Sequence, residues 1–272
     1  MTDANPQVGP PPPPKMFTGP QGMTVIIVLI IAAVGWILYA YEFQKSPATQ
    51  EENDTNSAAM EESSEYVPIE KNYIGEEIAL PSPQSLGSVS VEQALSQRRS
   101  ARAYGDASLT QAQLGQMLWA GQGVTDPESG GRTSPSARSL YPINFYVLVR
   151  DVEGIDPGLY HYLPETHSIR LLKSEVDLLT GEEQQAQLRV APAVAVYGAI
   201  YAKVQASFPG DSGLKVVHQE SGHIGQNLYL EAESLGLGTV VMGGYDADAV
   251  KDELDLPEDE TVVYLQPFGP KE

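Results

Sequence analysis

The hydrophobic pattern of the chain opens with one unbroken apolar block. Met23 to Tyr41 (MTVIIVLIIAAVGWILYAY) carries no charged residue over 19 positions, close to the ~20 residues a helix needs to cross a bilayer. Trp36, Tyr39 and Tyr41 gather at one end, as aromatic side chains do at a headgroup interface. A cleaved signal would have a shorter apolar stretch and a small-residue cleavage pattern, and none follows Tyr41. A buried core helix would keep a polar face, which this block lacks. The pattern therefore predicts one membrane anchor over 23–41, in contact with the lipid bilayer. With Lys15 before it and Lys45 after it, the positive-inside rule does not set its orientation.

Polar stretches flank the block. Residues 1–22 include the run Pro10 to Pro14, which is expected to be extended and unpacked. Residues 42–79 hold ten acids against Lys45 and Lys71. With few large apolar side chains to offset the entropy of ordering, they read as an acidic flexible tether. The folded domain is then expected over 80–272, about one domain by size.

Within it, the helical and strand periods alternate. Ser90-Val91-Glu92-Gln93 and Thr110-Gln111-Ala112-Gln113 each have the form of a capping box. They predict a helix from Val91 to about Arg99 and a second with Leu114, Met117 and Leu118 on its apolar face, ending at Gly121-Gln122-Gly123. Ile143 to Arg150 and Ala193 to Tyr197 are continuous β-branched and aromatic runs, hence buried strands. Leu159–Tyr162 and Ile169–Leu172 read as a hairpin. Val216 to Leu235 reads as a long core helix stopped by Gly236, Thr239 to Met242 and Thr261 to Gln266 as strands. The expected class is α+β, a central mixed sheet flanked by helices.

Composition changes the picture in two ways. The formal net charge is −20 and the chain has no cysteine, which argues against nucleic acid as a partner and removes disulfides and thiolate metal sites. Against that acidity, five of the eight arginines lie between Arg98 and Arg138. Arg98-Arg99-Ser100-Ala101-Arg102 puts three guanidinium groups and a hydroxyl in five residues, a set suited to phosphate oxygens. The alternative is simple complementation of a helix C-terminus. His218 and His223 are five apart, about 140° around a helix, and so miss the two-histidine zinc spacing. No metal is expected, and the histidines read as hydrogen-bonding residues. Gly236-Leu237-Gly238 follows a helix, the wrong context for a dinucleotide fingerprint. Gly243-Gly244 leaves bare backbone where something flat can approach.

In order, RRSAR, the loop ending TSPSARSLYP, and ESGHIGQNLYLEAESLGLGTVVMGGYD resemble the nitroreductase superfamily. Within it the resemblance is closer to the SagB-type, azoline oxidase-like dehydrogenases, and it covers about Val89 to the C-terminus. It implies an FMN-binding fold that dimerises with FMN at the dimer interface. Carried across by position, Arg98, Ser100 and Arg102, with Arg99 adjacent, would hold the phosphate and ribityl chain. Pro135, Ser136, Ala137 and Ser139 would line the flavin, Met242, Gly243 and Gly244 would pass over its ring from the other side, and Lys271 would add a phosphate contact. Two departures stand out. Arg138 replaces the glycine of the family's P-S-A-G-A-L-Y-P loop, and it either narrows the flavin pocket or points to solvent. Phe208-Pro209 stands where azoline oxidases carry a Lys-Tyr pair, and proline cannot move a proton.

The resulting expectation is a membrane-anchored FMN-dependent oxidoreductase. It would run a ping-pong hydride cycle with small-molecule donor and acceptor, NAD(P)H being a candidate donor. No catalytic residue is identified. The alternatives are a catalytically degenerate flavin-binding or assembly module, and a scaffold without cofactor. The side of the membrane stays open, with a lean to the extracytoplasmic side from the acidic tether.

Overall fold

The computed structural model describes residues 66–176 and 186–272, together with Val34 and Trp36. The chain divides into two units, Met1–Ser63 and Ser64–Glu272. In the first, Val34 and Trp36 are helical and exposed. The rest of the 23–41 segment, the proline-rich N-terminus and residues 42–65 lie outside the described residues. Among those described, no helix is long and apolar enough to cross a membrane.

The second unit is built on strands β1 (Glu77–Ala79), β4 (Ile143–Val149), β5 (Gly158–Leu163), β6 (Ser168–Lys173), β7 (Ala193–Ala199), β8 (Leu237–Thr239) and β9 (Thr261–Pro270). They form one seven-stranded sheet in the order β1-β6-β5-β4-β7-β9-β8. A short ribbon, β2 (Val124–Asp126) with β3 (Gly131–Arg132), stands apart. The helices are α1 (Val91–Gln97), α2 (Gln111–Gln122), α3 (Ala186–Val190), α4 (Ala202–Gln205), α5 (Asp211–Ser234) and α6 (Ala247–Leu254).

Every pairing in the large sheet is antiparallel, which corrects the expected mixed sheet. The continuous apolar runs come from covering both faces, not from parallel strands. On β4, Ile143, Phe145, Val147 and Val149 enter one core while Tyr146 and Leu148 enter the other; β7 splits the same way, with Val194 and Val196 in the second core. The first core is closed by Leu114, Met117 and Leu118 of α2 and Val217, Ile224, Leu228 and Ala232 of α5. The second is closed by Val250 and Leu254 of α6. The helix starts are as the sequence indicates. Ser90 caps α1, and Thr110 with Gln113 completes a reciprocal capping box on α2. Gly236 adopts φ 71° just past α5, the left-handed turn a glycine makes at low cost.

Three elements differ from expectation for identifiable reasons. α5 starts at Asp211, five residues early, and α6 was not anticipated because its acidic sequence hides a stripe of only Val250 and Leu254. The predicted strand Thr239–Met242 divides into β8 and an isolated bridge at Met242 to Leu265.

The tether also ends earlier than residue 79. From Tyr66 on, the chain is strapped across the sheet, from the residues before β9 to the β6 edge. The Tyr66 hydroxyl donates to Asp259 at 2.6 Å, Lys71 Nζ meets Glu260 Oε1 at 2.6 Å, and Ile74 N donates to Leu171 O at 3.0 Å. β1 then pairs with β6. A composition argument misses such a strap because edge pairing needs backbone groups and a few paired side chains rather than apolar area.

Tyr73 lies 2.8 Å from His161 Nδ1 across this seam. Burial, reinforced by the Lys71 and Arg132 charges, pushes the His161 pKa down to about 3, so the folded state keeps it neutral where the unfolded chain protonates near 6.5. The folded form binds fewer protons in that window. Its stability therefore falls as pH drops from about 6.5 towards 3, by at most about 1.4 kcal/mol per pH unit from this one group. Denaturant melts of wild type and His161→Gln across that range check it: the variant should show the shallower slope.

Candidate functional site

The arginine segment leaves α1 at Arg98, where the backbone turns out of the helix (φ −47°, ψ 124°). It then runs beside β8: Ser100 bridges Thr239 in parallel sense, and Ala101 N donates to Thr239 O at 3.0 Å. Gly238 makes the approach possible, since a Cβ there would lie 2.7 Å from that of Ala101. The Arg98 guanidinium stacks 5.0 Å from the Tyr229 ring centroid, and the Ser100 and Tyr229 hydroxyls are 3.1 Å apart. Among the described residues, no carboxylate forms an ion pair with Arg98, Arg99 or Arg102. In so acidic a chain, guanidinium groups without a carboxylate leave donors available to an outside anion, those of Arg98 and Arg102 above all. Arg99 turns back on the carbonyls of Ser96 and Arg98. Lys271 reaches the same end of the sheet, but its ammonium is held by Glu233 at 2.7 Å.

Tyr229 also ties in the glycine segment, because its hydroxyl accepts from Val241 N at 3.0 Å. Met242 is buried and bridged to Leu265, whereas Gly243 and Gly244 are exposed. Neither glycine has positive φ, a Cβ at Gly243 would meet Tyr264 at an ordinary 3.7 Å, and one at Gly244 would meet nothing. The fold of this chain thus does not require glycine at either place. Bare backbone there suits the close approach of a flat group from outside.

The other expected residues sit on a separate loop. Pro135 and Ser139 are exposed, Ser136 and Ala137 half-buried, and Ser136 Oγ accepts from Tyr141 N at 2.8 Å. Asn227 of α5 holds the loop, its amide donating to Thr133 O at 3.2 Å and to Ser134 Oγ at 3.0 Å. Arg138, Ser139 and Tyr141 all have left-handed backbone, with φ of 53°, 54° and 45°. That conformation accounts for a glycine in the related loops at the position of Arg138. The arginine itself is exposed, its guanidinium 5.8 Å from the Phe208 ring centroid. Glycine would relieve about 1–2 kcal/mol of backbone strain, but it would forfeit about 0.5–1 in chain entropy and a similar amount of cation–π attraction. Arg138→Gly is therefore expected to shift stability by less than about 1 kcal/mol. A thermal melt showing a loss above about 2 kcal/mol would mean Arg138 has a structural role beyond its contact with Phe208.

One chain separates these two groups. Tyr229, which anchors the arginine and glycine segments, and Asn227, which anchors the 133–139 loop, are two residues apart on α5, about 200° around the helix. The groups therefore lie on opposite flanks of the same helix. The sequence reading missed both anchors. Their signal was present in the spacing of Glu220 and Asn227, seven apart on one face, and of Gly225 and Tyr229, four apart on another.

Comparison with known proteins identifies the family. The nitroreductase family pattern matches residues 95–270. A Methanocaldococcus jannaschii protein assigned as a nitroreductase is 41% identical over 198 residues, covering 72% of this chain and 96% of that one. A crystal structure from Ralstonia eutropha, also assigned as a nitroreductase, superimposes with a TM-score of 0.64 at 27% identity, covering 76% of this chain and 96% of that chain. A third, from Anabaena variabilis, gives 0.62 at 26% identity, with 77% of this chain matching 45% of that longer one. The chain belongs to the nitroreductase family of FMN-dependent oxidoreductases.

Proposed function

We propose that this chain is a membrane-anchored, homodimeric enzyme that binds FMN and performs two-electron hydride transfer in a ping-pong cycle. The observation that carries the reading is the trio Arg98, Arg99 and Arg102, without a carboxylate partner among the described residues and linked through Ser100, Tyr229 and Val241 to the segment that carries Gly243-Gly244. The residues fit the cofactor: guanidinium forks and the Ser100 hydroxyl suit its phosphate, and the exposed glycines suit its ring. Bound there, FMN would supply the hydride chemistry while the protein supplies position and electrostatics. Pro135, Ser136, Ala137 and Ser139 sit on the opposite flank of α5, which supports a site completed by a second copy of the chain. α1 adds to that support, because Val91 and Leu95, one helical turn apart, are 64% and 54% exposed. Such a pair on a helix next to the arginines is apolar area for a partner to cover.

A donor of the NAD(P)H class would deliver its hydride, its product would leave, and the acceptor would then bind in the same place. Azoline oxidation of the SagB-type relatives is not part of the proposal. Phe208 is packed on the first core beneath Arg138, and Pro209 has no exchangeable proton, so neither residue can do the work of a Lys-Tyr pair. That same loss favours, as second reading, a flavin-binding module without turnover. Anaerobic addition of NADH or NADPH separates the two: the enzyme bleaches its flavin bands, and an acceptor added after donor removal restores them. Bands that never bleach favour the module.

The apolar 23–41 segment supports anchoring, and the acidic tether supports an extracytoplasmic placement. Retention in the membrane pellet through alkaline carbonate, and cleavage of the domain by protease added to intact cells, are the expected results. Release by carbonate, or full protection in cells that are cleaved after lysis, would contradict the anchor or the side respectively.

A further inference from the structure

The face of α5 that carries Asn227 also carries Glu220, two turns earlier, directly against the 132–141 loop. Glu220 is only 2% exposed, yet among the described residues neither carboxylate oxygen closes a well-aligned hydrogen bond, although Ser136 and Gln122 lie beside it. Two donors in the same neighbourhood, Gln122 Nε2 and Arg132 Nε, are buried and equally without partners. A buried ionised carboxylate left in that state costs far more than a protonated one. The surroundings are well fixed. Arg132 Nη1 donates to Gln122 Oε1 at 3.0 Å, its Nη2 pairs with Glu165 at 2.9 Å, and its guanidinium covers the Tyr141 ring at 4.3 Å. From α4, Lys203 Nζ donates to Tyr141 O at 2.9 Å. On the loop, Ser136 approaches Glu220, and its Oγ already accepts from Tyr141 N, so its proton is free to point elsewhere.

We infer that Glu220 stores the proton consumed in acceptor reduction and passes it to the site through the hydroxyl of Ser136. The inference rests on the proposed flavin function, because only the family likeness sets Ser136 against the flavin. Reduction of an acceptor by two electrons takes up a hydride and a proton. With FMN bound, the hydride would come from the NAD(P)H-class donor through the flavin chemistry. The proton comes from the Ser136 O–H, whose oxygen takes the Glu220 carboxyl proton as the old O–H bond breaks. Glu220 is left as a carboxylate and regains a proton from water. Its role is to supply Ser136, so it is a positioning and proton-holding residue rather than one that touches substrate.

The charges that face Glu220 set its working range. Burial raises its pKa to about 7, and Ser136, Gln122, Arg132 and Lys203 restrain the rise. Glu165 acts at one remove, through its pair with Arg132. Lys215, His218 and His223 of the same helix are on its exposed side. A group poised near neutrality is suited to give up and recover a proton in each cycle.

Two readouts on the full-length protein test the inference. In infrared difference spectra, wild type should show a protonated-carboxyl C=O band that disappears with a midpoint near pH 7, and Glu220→Gln should lack it. In steady state with saturating donor, wild type should lose about tenfold in acceptor reduction per pH unit above that midpoint. Glu220→Gln should run roughly 100-fold slower with no such limb, at unchanged flavin content, while Glu220→Asp keeps a displaced limb. If Glu220→Gln does not fold, Ser136→Ala serves: the rate falls and the infrared titration stays. Flavin-loaded, active protein whose Glu220→Gln variant retains the wild-type rate and limb overturns the relay alone. So does a wild type without the band. Protein that binds no flavin overturns the proposed function and the relay together.

Discussion

Lys71→Met should destabilise the Ser64–Glu272 unit by about 3–5 kcal/mol, the cost of stranding one member of a buried ion pair. Glu260 is 1% exposed, and Lys71, at 11%, provides the positive charge beside it. The same carboxylate accepts from Asn144 Nδ2 at 2.7 Å and from the Tyr146 hydroxyl at 2.7 Å and 2.8 Å. It is also walled in by Gly198, where any Cβ would collide with it and with the Tyr146 ring. These bonds hold the carboxylate in place but do not neutralise it. Denaturant melts of four proteins give the test: wild type, Lys71→Met, Glu260→Gln and the double variant. The double variant should recover most of the loss, because a neutral amide no longer needs the lysine. Equal destabilisation of the single and double variants would mean the strap matters only through packing. A practical consequence follows for work on the isolated domain: a fragment starting at Leu80 lacks Lys71 and β1, whereas one starting at Ser64 keeps both.

The strap shows where a sequence stops being informative. Residues 42–65 are acidic and poor in large apolar side chains, the composition of a solvated tether, whereas 66–79 also hold Tyr66, Val67, Ile69, Tyr73, Ile74 and Ile78; taking 42–79 as one stretch hid the change. What orders residues 66–79 is a lysine reaching a glutamate 189 residues away and an edge strand closing on β6, and neither partner is marked locally. Elements that carry their own signal were legible: the caps at Ser90 and Thr110, the buried runs of β4 and β7, and the glycine stop at Gly236. Strand direction was not, since an antiparallel sheet covered on both faces has the same apolar pattern as a parallel one. At the site, the arginines and Gly243-Gly244 stood out as residue types in an unusual setting. Tyr229, Asn227 and Glu220 did not, because a tyrosine, an asparagine and a glutamate on an amphipathic helix look like ordinary positions until the opposing loop is in place.

Arg98→Ala is the second large effect expected. Removing one fork from a phosphate costs about 2–3 kcal/mol, which weakens FMN binding roughly 30- to 150-fold. Riboflavin, which lacks the phosphate, should bind wild type and variant alike, so the ratio of the two affinities isolates the phosphate contact from any general damage. Arg98→Lys should restore little, since an ammonium keeps the charge but loses both the fork and the stacking on Tyr229. Lys271→Ala is expected to do less, because its ammonium is already held by Glu233 at 2.7 Å. Equal loss of FMN and riboflavin in Arg98→Ala would place the phosphate elsewhere.

The most direct test of the flavin assignment is the visible spectrum of the full-length protein in detergent, recorded before and after acid release of its ligand. Flavin bands, with FMN rather than FAD in the released fraction, are the predicted result. A folded, colourless protein that takes up no added FMN would contradict it, and the likeness to nitroreductases would then describe ancestry without the chemistry.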